Sequence, residues 1–251
     1  MRQLHRFQAT EGALPDPSIA ADDVWRSYGR TRVLRGTTLS VSPGGGVAIL
    51  GPNGSGKSTL LRVLAASLRP SRGRVRILGR DPWADPPVRG AVGFVGHEPM
   101  LYGGLSALEN LRLFAALYGV RDGRARAAWA CDLVGLSRRD DPIRSLSRGL
   151  VQRAALARAF IHQPQVLLLD EALAGLDPDA AARLAGFLAE FRGRGGALVL
   201  TTHHPAEALR VADCACILVH GRLSPMRTLA ETSTEALEAW YRTATAAEPD
   251  P

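Results

Sequence analysis

The sequence predicts an α/β fold centred on a mainly parallel sheet, with an antiparallel β part ahead of it and a helical insertion inside it. Three observations carry this. Val47–Leu50, Val166–Leu169 and Leu198–Leu200 are continuous apolar runs, the pattern of strands buried on both faces of a parallel sheet. A glycine-rich stretch, Gly51 to Thr59, joins the first run to residues Leu60, Leu61, Val63 and Leu64 at helical spacing, so the local order is strand, glycine turn, helix. Between residues 98 and 162 the strand pattern lapses and helical patterns take over, which marks an insertion.

Taken in order, residues 1–18 carry charges and two prolines without an apolar run, and they read as a loose extension with no signal-peptide pattern. Asp22–Tyr28 and Val33–Val41 are rich in β-branched and aromatic residues, and Gly29 to Arg32 between them predicts an antiparallel hairpin. Pro43-Gly44-Gly45-Gly46 breaks the chain before the strand Val47–Leu50. Val75–Leu78 and Val92–Val95 follow as short strands. Ser106-Ala107-Leu108-Glu109 is a capping box, and Leu108, Leu111 and Ala115 share one face of the helix it opens. Arg124–Leu133 and Leu150–Phe160 predict two further helices of the insertion. Asp177-Pro178 starts another helix, whose core face is Leu184, Phe187, Leu188 and Phe191. A single domain over 19–243 results, with 244–251 as a flexible tail.

At 251 residues, with 46% hydrophobic and 22% charged, the chain can build one large core. The net charge of +7 is spread as arginine along the chain, which fits a solvated surface; no nucleic-acid partner is expected. No apolar run reaches the eighteen or so residues needed to span a bilayer. Cys131, Cys214 and Cys216 lack zinc or disulfide spacing and read as buried thiols of a reducing compartment.

Gly51-Pro52-Asn53-Gly54-Ser55-Gly56-Lys57-Ser58-Thr59 has the residues of a phosphate-binding loop. The glycines let main-chain N–H groups turn inward, and the following helix adds the positive end of its dipole. Lys57 supplies a point charge for terminal phosphates, and Ser58 a hydroxyl for magnesium (Mg2+) bridging them. Lys57 is the only lysine among 31 basic residues, as expected where a slim ammonium fits and a guanidinium does not. Asp170 and Glu171 close the second apolar run, Asp170 fitting the magnesium side and Glu171 a water-activating base. His203 follows the third run, placed to touch a terminal phosphate. Strand ends of an open parallel sheet line one crevice, so one active site is implied. Ser145 to Gly149 ahead of a helix reads either as a simple N-cap or as a second anion site using the Ser147 hydroxyl and the Gly149 N–H.

With these motifs in this order, the chain from about Ile19 to Leu223 resembles the nucleotide-binding subunits of ATP-binding-cassette (ABC) transporters. The resemblance implies a P-loop NTPase core, ATP as substrate and magnesium as cofactor. It makes Leu146–Arg153 the family signature, Ala174–Asp177 a dimer-contact loop with Asp177 at its end, His203 the switch histidine and Tyr28 the aromatic under adenine. It further implies a head-to-tail dimer, of two copies or of one copy and a homologous subunit, with Ser147, Arg148 and Gly149 acting in trans on the partner's nucleotide. An integral membrane subunit would dock near His97–Leu111, placing the chain in the cytoplasm, peripheral on the inner face of the cell membrane. Four positions depart from the family pattern: Arg148 stands for a glycine, Leu150 for a frequent glutamine, Ala172 for a proline after the glutamate, and His97 for the glutamine that touches magnesium and the attacking water. Gly96-His97-Glu98-Pro99, Leu105–Leu111 and Thr201-Thr202-His203-His204-Pro205 are closest to haem-exporter ATPases of cytochrome c maturation. ATPases of drug, lipid or peptide exporters are the alternative. A cassette protein acting on ribosomes or DNA would usually carry two cassettes, and a P-loop kinase would lack the signature and the switch histidine.

Overall fold

The computed structural model describes residues 16–173 and 176–246; most of the N-terminal extension, two residues of the dimer-contact loop and the last five residues of the chain lie outside the described residues. A three-stranded antiparallel sheet, ordered β2-β1-β4, is built from β1 (Ile19–Tyr28), β2 (Thr31–Val41) and β4 (Arg72–Ile77). Its hairpin is tighter than the polar run Gly29 to Arg32 suggests. Tyr28 pairs with Thr31, so two residues make the turn, and Gly29 supplies its left-handed position with φ 57°. Thr31 and Arg32 belong to β2 although both are polar, because their side chains face solvent on an edge strand.

The main sheet holds β3 (Gly46–Leu50), β5 (Val92–Val95), β6 (Val166–Asp170), β7 (Ala197–Thr202) and β8 (Cys214–Val219) in the order β8-β3-β7-β6-β5, all parallel. Short β9 (Arg222–Leu223) and β10 (Arg227–Thr228) flank β8 in antiparallel pairing. Alternation along β3 shows how the core is divided. Val47 and Ile49 face the layer that also buries Leu60, Leu61, Val63 and Leu64 of α1 (Lys57–Leu64), whereas Ala48 and Leu50 face the other helices. α1 thus lies between the two sheets with its apolar face covered from both sides.

Between β5 and β6 come α2 (Ala107–Leu117), α3 (Gly123–Leu133) and α4 (Arg148–Phe160). The capping box at Ser106 is made in full: the Glu109 N–H donates to Ser106 Oγ at 3.1 Å and the Ser106 N–H to Glu109 Oε2 at 2.8 Å. Arg158 of α4 is buried and donates to the Phe94 carbonyl at 2.7 Å, tying the insertion to β5. α5 (Pro178–Gly193) opens at Asp177 with Pro178 in its first turn. α6 (Pro205–Val211) and α7 (Thr234–Ala246) complete the chain. α7 continues to Ala246, three residues into the stretch read as a tail, because Trp240, Tyr241 and Ala244 pack on the core. No described helix is long and apolar enough to cross a membrane.

Burial sets the cysteine chemistry. It pushes the Cys131 thiol up to about 11 and Cys216 up to about 12, and it raises Cys214 as well, with Asp213 adding to the effect. All three are free thiols, held in the unreactive protonated form.

Candidate active site

The carboxyl ends of β3, β7 and β6 are neighbours, so three strands deliver their polar ends to one place. Leu50 pairs with Thr202 and Asp170 with Thr201. From β3 the chain enters the glycine loop. A Cβ on Gly51 would lie 2.4 Å from the Leu218 carbonyl oxygen, so only glycine lets the loop run this close to β8. Gly56, with φ 109° in the left-handed half of the map, turns the chain into α1. The resulting cleft, of about 200 Å³, is lined by Val33, Asn53, Gly54, Gly56, Lys57, Ser58, Thr59 and Glu171. Pro52 makes the wall of the turn, its carbonyl accepting from the Ser55 N–H at 3.3 Å. Ser55 Oγ is buried with no partner among the described residues, an acceptor and donor left open inside the loop.

Lys57 is buried, and its Nζ donates to the carbonyls of Gly51 at 2.7 Å and Pro52 at 3.1 Å. It also lies 3.5 Å from Glu171 Oε1. The same oxygen is 3.4 Å from Nδ1 of His203, which is screened from solvent and has no aligned hydrogen bond. One carboxylate oxygen therefore joins the loop cation to the histidine. Glu171 is itself in the left-handed region at φ 49°, costly for a residue with a Cβ. Its N–H donates to the carbonyl and the hydroxyl of Thr201 at 3.1 and 3.2 Å, which holds the peptide there.

Thr201 also donates through Oγ1 to Asp170 Oδ1 at 2.6 Å, inside the protein. In the sequence Thr201 is only part of a strand end with no role of its own; its signal is the register of β7 beside β6, which no local motif carries. Thr202 escaped notice for the same reason, donating to Glu207 at 2.5 Å and accepting from the His204 N–H at 3.0 Å, which fixes the turn that carries His203. We expect Thr201→Val to lower stability by about 1–3 kcal/mol, the usual cost of leaving a buried acceptor unpaired. ATPase activity should fall with it, and Thr201→Ser should restore both. Urea unfolding beside a turnover assay checks this; a valine variant with wild-type stability would show that the hydroxyl does not support Asp170.

A second cleft, of about 460 Å³, shares Glu171 with the first and is lined by Gly96, His97, Pro99, Arg148, Gly149, Val151, Gln152, Asp170 and Glu171. His97 is exposed and lines this cleft together with the two carboxylates. Ser147 caps α4 and accepts from the Leu150 N–H, while Arg148 and Gly149 open onto this second cleft and do not line the phosphate cleft. Gln152, also unread in the sequence, donates weakly to the Ala172 carbonyl at 3.5 Å. Asp177 lies apart from both clefts. Its carboxylate caps α5 at Ala180 N (2.8 Å) and pairs with Arg153 of α4; the cap and then the arginine hold its carboxyl below the usual range. Tyr28, at the end of β1, is half exposed, with the Arg26 guanidinium 4.9 Å from its ring centroid.

Magnesium carried in by phosphates needs only one or two protein oxygens, its other positions being filled by phosphate and water. Ser58, exposed in the phosphate cleft, and Asp170, with one oxygen left by Thr201, are hard donors of that kind, so the residues fit the ion.

Comparison with known proteins places this geometry. The family model described as "ABC transporter" matches residues 34–174. The cytochrome c biogenesis ATP-binding export protein CcmA of Cupriavidus necator is 38% identical over 201 residues, covering 79% of this chain and 88% of that protein. The daunorubicin resistance ATP-binding protein DrrA3 of Streptomyces coeruleorubidus is 35% identical over 232 residues, covering 90% of this chain and 71% of that one. Among solved structures, a dimeric post-hydrolysis ATP-binding cassette bound to ADP and Pi superposes with a TM-score of 0.77 at 25% identity, covering 84% of this chain and 98% of that one.

Proposed function

The chain belongs to the ABC transporter family and is a transport-coupled ATPase subunit, and from that premise we propose how its residues share the work and what it serves. Two copies, or one copy and a homologous subunit, close head to tail on ATP and drive a separate membrane-embedded partner that docks near His97–Leu111. The dimeric cassette with ADP and Pi supports the paired arrangement by likeness. The chain works at the cytoplasmic face of the membrane.

The observation that carries the mechanism is the convergence of Lys57, Glu171 and His203 around one carboxylate oxygen, within 3.5 Å. Loop N–H groups from Gly51 to Thr59 and the α1 dipole hold the phosphates, and Tyr28 stacks on adenine. A terminal phosphate attracts Lys57 away from the Gly51 and Pro52 carbonyls and so releases Glu171. Glu171 then takes the proton of a water as that water attacks the terminal phosphorus, and the bond to the bridging oxygen of ADP breaks. His203 donates to the leaving phosphate, and His97 orients the water. Ser58 and Asp170 would hold magnesium, which would supply charge neutralisation on the phosphates when bound. Ser147 and Gly149 complete the site on the partner copy, and Asp177 contacts the partner through its loop.

The cargo reading is haem export for cytochrome c maturation. Gly96-His97-Glu98-Pro99, Leu105–Leu111 and Thr201–Pro205 support it, and the CcmA relative agrees in length as well as identity. The drug-resistance relative supports the rival, the ATPase of a drug exporter. Replacing the native gene by its Glu171→Gln version should abolish haem-stained c-type cytochromes in membranes of the host. Normal cytochromes together with new drug sensitivity would instead support the rival.

A further inference from the structure

Seven described residues bury a side-chain nitrogen or oxygen that meets no partner. Four of them, Arg26, Arg153, Arg158 and His162, are held through another atom of the same side chain, each on a backbone carbonyl. Of the other three, Ser55 and His203 belong to the ATP site, where a ligand supplies what is missing. The third is Arg35, on β2. Its Nε is shut off from solvent, and no bond or ion pair fixes its side chain among the described residues. A buried donor left open is costly, so something outside the chain is needed to accept from it.

Arg35 lines a cleft of about 390 Å³, and Arg222 lines it too. Their segments are joined directly, the Arg35 N–H donating at 2.8 Å to the carbonyl of Gly221, the residue before Arg222. No acidic residue lines the cleft, and Arg222 likewise has no ion pair among the described residues. Asp23, which lies against Gly36, is engaged by the Trp25 indole N–H at 2.8 Å and by Arg72 at 3.3 Å. Thr38 and Ser224 contribute to the polar part of the wall, Leu223 and Met226 to its apolar part.

We propose that this cleft binds a phosphate monoester, its phosphate joined to Arg35 and Arg222 and its organic part against Leu223 and Met226. Water can satisfy the Arg35 donor, but it leaves two cations in one cleft uncompensated. A phosphate monoester carries close to two negative charges at neutral pH and three terminal oxygens, enough for two guanidinium forks. A carboxylate has one charge and is matched by a single fork. The site is separate from the Lys57 loop yet shares a strand with its surroundings: Val33, two residues before Arg35, lines the ATP cleft.

Calorimetric titration of the full chain with phenyl phosphate tests this, with benzoate as the carboxylate of similar size. Wild-type protein should bind phenyl phosphate saturably and more tightly than benzoate. Arg35→Gln should weaken that binding about 10- to 100-fold, the loss of a charge-assisted contact, and Arg222→Gln should act in the same direction. Lys57→Ala should keep it, because the ATP loop takes no part. Without added anion, Arg35→Gln should melt no lower than wild type, since no side-chain bond within the chain is lost. An arginine serving only structure gives the opposite pair of results, a lower melting temperature with unchanged affinity, and that overturns the proposal. Binding lost in Lys57→Ala but kept in Arg35→Gln overturns it too, as does the absence of saturable binding to wild type. Equal affinity for benzoate overturns the choice of phosphate. Vesicles of phosphatidylcholine containing phosphatidic acid separate two sources of the group: protein held on them through Arg35 identifies a lipid headgroup, and protein that stays off them a soluble ester.

Discussion

Glu171→Gln is expected to bind ATP, to hydrolyse it about 10²- to 10⁴-fold more slowly, and to accumulate as a dimer with nucleotide trapped between copies. The size follows from losing a general base while the amide keeps shape and hydrogen bonding. Structure adds a reason why the fold should tolerate the change. The strained backbone at Glu171 is held by its N–H, through the Thr201 carbonyl and hydroxyl, and its side chain takes no part in that anchoring. What the amide loses is the charge facing Lys57 and His203. With that pull on Lys57 gone, the ammonium is freer to meet phosphate, so nucleotide affinity should hold or rise. Light scattering with Mg-ATP and a turnover assay read both halves of this expectation. A variant that turns over ATP at the wild-type rate would remove Glu171 from the role of base.

Much of this site could be read from sequence because its parts are short and each is local. The glycine loop, the Asp170-Glu171 pair and the histidine after a buried strand each sit at the end of an apolar run, and parallel strands put such ends together. What sequence could not give is the register that makes neighbours of them. Thr201 is an ordinary strand threonine until β7 is seen beside β6, when it becomes the donor to Asp170 and the anchor of Glu171. The same limit hid Gln152 and the pairing of Arg153 with Asp177, which depend on how α4 lies against the start of α5. Hairpin bounds slipped for a different reason. A strand at a sheet edge shows its side chains to water, so Thr31 and Arg32 carry no hydrophobic alternation to reveal them.

Lys57→Ala is expected to weaken nucleotide binding about 10- to 100-fold, the loss of a charge-assisted contact to phosphate, and to do so without unfolding the protein. Two terms act on stability in the absence of ATP, with opposite signs. The alanine variant loses the bonds to the Gly51 and Pro52 carbonyls and the pair with Glu171. It also removes a cation from the positive end of α1, whose first turn has no acidic residue, and gains the best helix former at that position. These are of similar size, so the melting temperature without nucleotide should move little. The rise in melting temperature on adding ATP should largely vanish, because stabilisation by a ligand scales with the logarithm of its concentration over Kd. Lys57→Arg should fail as well. The ammonium is buried in a cleft of about 200 Å³, where a planar, bulkier guanidinium would fill the space that the phosphate has to enter. Thermal melts with and without Mg-ATP, run on all three proteins, decide this. An arginine variant with full ATP-dependent stabilisation and turnover would show that charge alone is what the loop requires.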